Sequence, residues 1–121
     1  MIFICYPKCT TCQKARKWLE AQQMDFVQRD IKEEQPTEDE LRRWIGASGL
    51  PVRKFFNTSG LKYKELKLKD RLPDMSEDEQ IALLATDGML VKRPILITDG
   101  EDGRPGRVLV GFKEAQWEEL L

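Results

Sequence analysis

Apolar positions along this chain fall into two rhythms. Ile2 to Tyr6 is a short continuous apolar run closed by Pro7, which predicts a buried strand. From Thr11 to Gln22 the spacing becomes three and four, with Cys12, Ala15, Leu19 and Gln22 on one helical face and Trp18 beside them. Thr10-x-x-Gln13 has the form of a capping box for that helix. A weaker apolar run, Asp25 to Asp30 with Phe26 and Val27, predicts a second strand. Strand, helix and strand in this order predict a parallel pair with a right-handed crossover.

Two more capping boxes, Thr37-x-x-Glu40 and Ser76-x-x-Glu79, each precede an apolar set at helical spacing: Leu41, Trp44 and Ile45, then Ile81, Leu83 and Leu84. The first of these helices is expected to stop near Gly46 to Gly49, with a short helical turn from Val52 to Asn57 after it. Between Thr58 and Asp74 the pattern is irregular. Ile95-Leu96-Ile97 and Val108-Leu109-Val110 are β-branched-rich runs joined by the polar loop Asp99 to Gly106, an antiparallel hairpin. Lys113 to Leu121, with Ala115, Trp117, Leu120 and Leu121, closes the chain as a docked helix. The predicted fold is α/β: a thioredoxin-like β-α-β … β-β-α order on a mixed four-stranded sheet, one domain over 1–121, with a helical insertion at about 37–90.

Composition narrows the class. With 121 residues, 40% hydrophobic and 34% charged, the chain suits one folded core rather than a disordered segment. No apolar run approaches the roughly 20 residues of a membrane helix. Met1-Ile2-Phe3 enters the first apolar run without a basic leader, so the cytoplasm is the expected address. A net charge of −1 argues against direct nucleic-acid or membrane binding. Between Arg53 and Arg71, however, seven Lys or Arg meet two Asp or Glu, a local net of +5 that leaves −6 on the remainder. That segment is either a solvated face or a surface for an anionic partner.

Three cysteines are too few for a disulfide framework, so Cys5, Cys9 and Cys12 read as thiols, and any disulfide here as transient. Cys5 alternates within the first strand as core filler. Cys9-Thr10-Thr11-Cys12 sits where that strand hands over to the helix. Cβ atoms three apart on a regular helix lie about 5 to 6 Å from each other, against about 3.8 Å in a disulfide, so Cys9 belongs just before the helix. Cys9 is then the open nucleophile and Cys12 the covered, resolving thiol.

A helix terminus contributes typically 0.3 to about 1 kcal/mol to an exposed charge, less than the roughly 1.36 kcal/mol that moves a pKa by one unit. Direct amide hydrogen bonds and a nearby cation are also needed. Lys8 and Arg93 are the candidates, because the chain has no histidine. Two other readings of the pair stand beside the redox one: half of a zinc site, for which four ligands are needed and only one further cysteine exists, or two buried apolar thiols. No metal is expected.

Pro94 opens the run Ile95 to Ile97 and holds Arg93 extended. Taken in order, Tyr6-Pro7-x-Cys9-Thr10-Thr11-Cys12, Arg93-Pro94-Ile95 and Val110-Gly111-Phe112 resemble the ArsC/Spx family of thioredoxin-like proteins over nearly the whole chain. The resemblance implies a cis-proline at Pro94 facing the cysteine loop and Arg93 holding an anion beside Cys9. By the same resemblance the arsenate reductases of the family imply Cys9 as nucleophile on a small anionic substrate. Glutathione with glutaredoxin, or thioredoxin, then serves as external reductant. Of the family's three arginines Arg93 is retained, while Asn57 and Gly111 stand where the others would be. Arg53, four residues before Asn57, is expected on the same face of a helical turn. The expected anion-binding set is therefore Lys8, Thr10, Thr11, Arg53, Asn57 and Pro94 around catalytic Cys9, Cys12 and Arg93. The Spx branch implies a second class, a redox-sensing regulator that docks on the RNA polymerase alpha subunit, with Gly49 near the place of a docking glycine. A protein disulfide is a further candidate partner.

Overall fold

The computed structural model describes residues 1–121. Its sheet has the order β2-β1-β3-β4, built from β1 (Ile2–Cys5), β2 (Val27–Asp30), β3 (Ile95–Asp99) and β4 (Pro105–Val110). β1 pairs parallel with β2, Ile2 opposite Val27, and antiparallel with β3, Phe3 opposite Leu96. β3 and β4 form the hairpin, Leu96 opposite Leu109, with an irregularity between Ile97 and Asp99. The sheet is mixed, four-stranded and thioredoxin-like.

Alternation along the strands sorts side chains onto two faces. Phe3, Cys5, Leu96 and Leu109 pack under α1 (Thr10–Ala21) and α6 (Glu114–Glu118), against Cys12, Trp18, Leu19 and Trp117. Ile4, Ile95, Ile97 and Val108 face the helices that lie between β2 and β3. Both faces are covered, which is why β1 reads as a continuous apolar run rather than an alternating one.

α2 (Glu38–Ser48) starts on a complete capping box: Glu40 N–H donates to Thr37 Oγ1 at 3.2 Å and Thr37 N–H to Glu40 Oε1 at 3.1 Å. It stops at Gly49, whose φ of 71° is the left-handed cap that glycine adopts without a Cβ penalty. α5 (Glu77–Thr86) repeats the box with Ser76 and Glu79. Arg29 on β2 ties the sheet to α2 through a two-pronged ion pair with Glu40, at 2.6 and 2.9 Å, and lies over the Trp44 ring.

Several expectations shift. Thr10 and Gln13 form no capping box: Cys9 is the N-cap, its side chain caps nothing, and Gln13 Nε2 donates to the Pro7 carbonyl instead. The predicted turn ends as a 3-10 helix, Val52–Phe55, short of Asn57. The irregular stretch holds two short helices, α3 (Leu61–Glu65) and α4 (Leu68–Arg71), and a 3-10 turn, Leu72–Asp74. None of these is long enough to show a period of 3.6, so the pattern was invisible. β4 begins at Pro105, inside the predicted loop, and α6 is anchored by Trp117, with Ala115 and Leu121 exposed. Gln22 caps α1 in solvent rather than completing its face.

Candidate functional site

β1 ends at Cys5, the chain turns through Pro7 and Lys8, and Cys9 N–H closes that turn on the Tyr6 carbonyl at 2.9 Å. Cys9 keeps an extended conformation, φ −82° and ψ 124°, immediately before the first helical residue. Its thiol is half-buried, whereas Cys12 in the first turn is 2% exposed. Tyr6 N–H points at Cys12 Sγ from 3.4 Å.

The three thiols separate electrostatically. Burial opposes the Cys9 thiolate, but the amides of Cys12 and Thr11, the Cys12 thiol and the charge of Arg93 together bring its pKa below the ordinary thiol value. Burial pushes Cys12 up to about 12, and the neighbouring Cys9 charge adds to the rise. Cys5 is pushed up to about 11, again first by burial and then by Asp30. Of the three thiols, Cys9 is therefore the one most readily ionised.

Arg93 precedes a cis peptide bond to Pro94. Its Nη1 donates to the Met89 carbonyl at 3.3 Å, and the guanidinium lies 5.4 Å from the centre of the Tyr6 ring. No carboxylate pairs with it. An unneutralised cation beside a half-buried thiol favours anions.

A cavity of about 750 Å³ opens at this point, lined by Cys9, Thr11, Asn57 and Arg93 among the expected residues. Lys8, Thr10, Arg53 and Pro94 do not line it. Lys8 is exposed in the turn before the helix, and Thr10, one residue past the N-cap, is exposed as well. Arg53 sits in a 3-10 turn, where residues repeat every three positions, and Asn57 lies beyond its end, so the two share no face. Pro94 is buried, and its carbonyl accepts from Gly111 N–H at 2.8 Å. Cys12 lies behind Cys9 in the core, off the cavity wall.

The cavity also holds cations the pattern did not single out. Lys62 pairs with Asp87 at 3.4 Å, while Lys92 and Lys113 pair with no carboxylate. A Cβ on Gly111 would lie 3.0 Å from Lys92 Cε, and the φ of Gly111 is 76°. The lysine arm therefore crosses the position at which a larger side chain would stand. The one sequence signal for Lys92 was its place beside Arg93. No group of three or more His, Cys, Asp or Glu side chains is arranged to hold a metal ion, and no helix is long and apolar enough to cross a membrane.

Fold and site together define a thioredoxin-like α/β protein with a cysteine pair at a strand-to-helix junction. The chain belongs to the ArsC family, whose sequence profile matches residues 5–120. It is 55% identical over 119 residues to the uncharacterized protein YusI of Bacillus subtilis (strain 168), covering 98% of this chain and 96% of YusI. The regulatory protein MgsR of Bacillus subtilis (strain 168) is 32% identical over 97 residues, 80% of this chain and 75% of MgsR. Among solved structures, a protein of Streptococcus mutans UA159 described as a possible arsenate reductase is 40% identical. It superposes with a TM-score of 0.85, covering 99% of this chain and 97% of that one.

Proposed function

We propose that this protein is a thiol-dependent oxidoreductase in which Cys9 attacks, Cys12 resolves and Arg93 stabilises the Cys9 thiolate or a bound anion. The observation that carries this reading is the Cys9 thiol itself, lowered in pKa at a helix start and open to a cavity with an unpaired arginine. Similarity to the Streptococcus mutans protein makes arsenate the first oxyanion to try.

With a disulfide substrate, the Cys9 thiolate attacks one sulfur, a mixed disulfide forms, and the other sulfur leaves as thiolate and takes a proton from water. Cys12 then attacks Cys9 Sγ, the substrate sulfur leaves, and a Cys9–Cys12 disulfide remains for an external thiol such as glutathione, glutaredoxin or thioredoxin to reduce. The charge on Cys9 is one cause of the high pKa of Cys12. Bonding Cys9 into a mixed disulfide removes that repulsion, so the resolving thiol becomes more acidic at the step that uses it.

Turnover of arsenate with glutathione and glutaredoxin, run beside a generic disulfide, tests the class. Arg93→Ala is expected to raise the apparent pKa of Cys9 alkylation and lower kcat/KM about a hundredfold, the scale of losing one preorganised donor to a developing anion. An alkylation profile at the ordinary thiol pKa, unmoved by this substitution, would remove Cys9 from the nucleophile's role. Cys12→Ser is expected to accumulate the mixed disulfide on Cys9, visible by intact mass.

Similarity to the regulatory protein MgsR supports a second reading, a regulator without turnover, and the resemblance to the Spx branch makes the RNA polymerase alpha subunit its candidate partner, contacted under redox control. Pull-down with that subunit under reducing and oxidising conditions separates the two. Capture in one redox state alone favours the regulator, and no capture in either ends it.

A further inference from the structure

β4 is the outer strand of the sheet, and its free edge forms the floor of a second hollow of about 410 Å³. Polar backbone groups alternate in direction along an antiparallel strand. Gly111 N–H donates to the Pro94 carbonyl and Arg107 N–H to Thr98 Oγ1, so the odd-numbered residues turn toward β3. Val108 and Val110, out of phase by one, turn their N–H and C=O away from the sheet, where no other segment pairs with them. An open ladder of this kind is a template for an incoming strand.

Two walls shape what can enter. Ala47 and Leu50, at and just beyond the end of α2, stand on one side, and Gln116 of α6 and Glu119 at its C-cap stand on the other. Lys54, Lys92 and Lys113 line the hollow and form no ion pair, while Arg107 is matched with Glu119 at 3.0 Å. The surface is thus basic in a chain whose net charge is −1. Lys92, Val110 and Lys113 also line the Cys9 cavity, so the hollow adjoins it.

We propose that an extended acidic segment of a protein disulfide adds to β4 as a fifth strand, and that its cysteine enters the adjoining Cys9 cavity. This deepens the thiol-oxidoreductase reading and rests on it for the chemistry alone. Backbone pairing with Val108 and Val110 supplies affinity independent of the segment's sequence, and the lysines select acidic flanks. At Cys9 the segment's disulfide is reduced: its sulfur bonds to Cys9 Sγ, the second sulfur leaves as thiolate and is protonated by water, and Cys12 then displaces the segment as a thiol. The protein is left with a Cys9–Cys12 disulfide, which a small thiol or a dithiol protein reduces.

Binding and chemistry are measured apart. First, a cysteine-free peptide of about six residues, the usual length of a strand, with glutamates at alternate positions, is added to the labelled protein and amide exchange is followed by NMR. Exchange at Val108 and Val110 is expected to slow by about tenfold, and N-methylation of the peptide amides that face β4 is expected to abolish the effect. Unchanged exchange at both residues overturns the docking surface, whatever Cys9 does. Second, Cys12→Ser protein is reacted with peptide disulfides whose flanks are Glu or Lys. The Glu peptide is expected to react about tenfold faster at low salt, and Lys54→Glu to shrink that ratio. Equal rates for the two peptides, with a small neutral disulfide still attacked, also overturn docking while leaving the Cys9 chemistry standing. Attack on none of the disulfides removes the chemistry, and the exchange measurement still decides the surface.

Discussion

Three helices of this protein open on a Ser or Thr followed three residues later by Glu or Gln, and they use that opening differently. At α2 and α5 the first-turn amides are met by Thr37 or Ser76, and the first turns carry Glu38, Asp39 and Glu40, or Glu77, Asp78 and Glu79. At α1 no acidic residue sits in the first turn, Gln13 looks back to the Pro7 carbonyl, and the amides of Thr11 and Cys12, which no side chain caps, lower the pKa of Cys9. Orphan donors at a helix start must find an acceptor. Where a hydroxyl supplies it, the result is stability; where none does, the same donors favour ionisation of a neighbouring thiol.

The largest expected effect lies on the stabilising side of this contrast. Glu40 is held down to about 2 from an ordinary 4.5, first by its hydrogen bonds from Arg29, against the cost of burial. The pair is mostly covered, with side chains 17% and 22% exposed. Glu40→Gln keeps an acceptor for the capping box and removes the charge, and is expected to cost about 2 to 3 kcal/mol at pH 7. A depressed carboxyl pKa contributes stability above its unfolded value and loses it as pH falls through the folded one. The wild-type advantage in urea unfolding should therefore shrink from pH 4.5 toward pH 2. An advantage constant across that window would assign the loss to packing instead.

Ser76→Ala comes next, at about 1 kcal/mol of stability for a lost cap, with the pH profile of Cys9 alkylation unmoved. Movement of that profile would mean the helix starts are coupled, and the division between structural and chemical openings would fail.

Smallest and sharpest is Thr10→Asp, which gives α1 the acidic first turn of its counterparts. A few tenths of a kcal/mol of added stability is expected, with alkylation of Cys9 at pH 7 slowed about twofold by the like charge. Faster alkylation would show that the carboxylate strengthens the amide cradle rather than opposing the thiolate.

Much of the frame was legible from spacing. Thr37-x-x-Glu40 and Ser76-x-x-Glu79 each marked a helix start because the box is closed by residues within one turn, and the runs at Ile2 and Ile95 marked strands because both faces are covered. The difference in cover between Cys9 and Cys12 follows from placing one before the helix and the other within its first turn. Thr10-x-x-Gln13 misled, since α1 begins one residue earlier than a threonine cap requires. Arg53 misled because a 3-10 turn does not bring positions four apart together.

By itself, then, the sequence determined what local chemistry can determine: where strands and long helices run, which thiol stands at a helix start, and that an arginine precedes Pro94. Tertiary structure alone decided which charges share the cavity with that thiol. Asn57, Lys62 and Lys92 line the Cys9 cavity from segments far along the chain, and periodicity reports only neighbours within a turn or across a pleat. Long-range placement is set by how covered faces pack, and that packing sent Arg53 and Lys8 to solvent while laying the arm of Lys92 across Gly111.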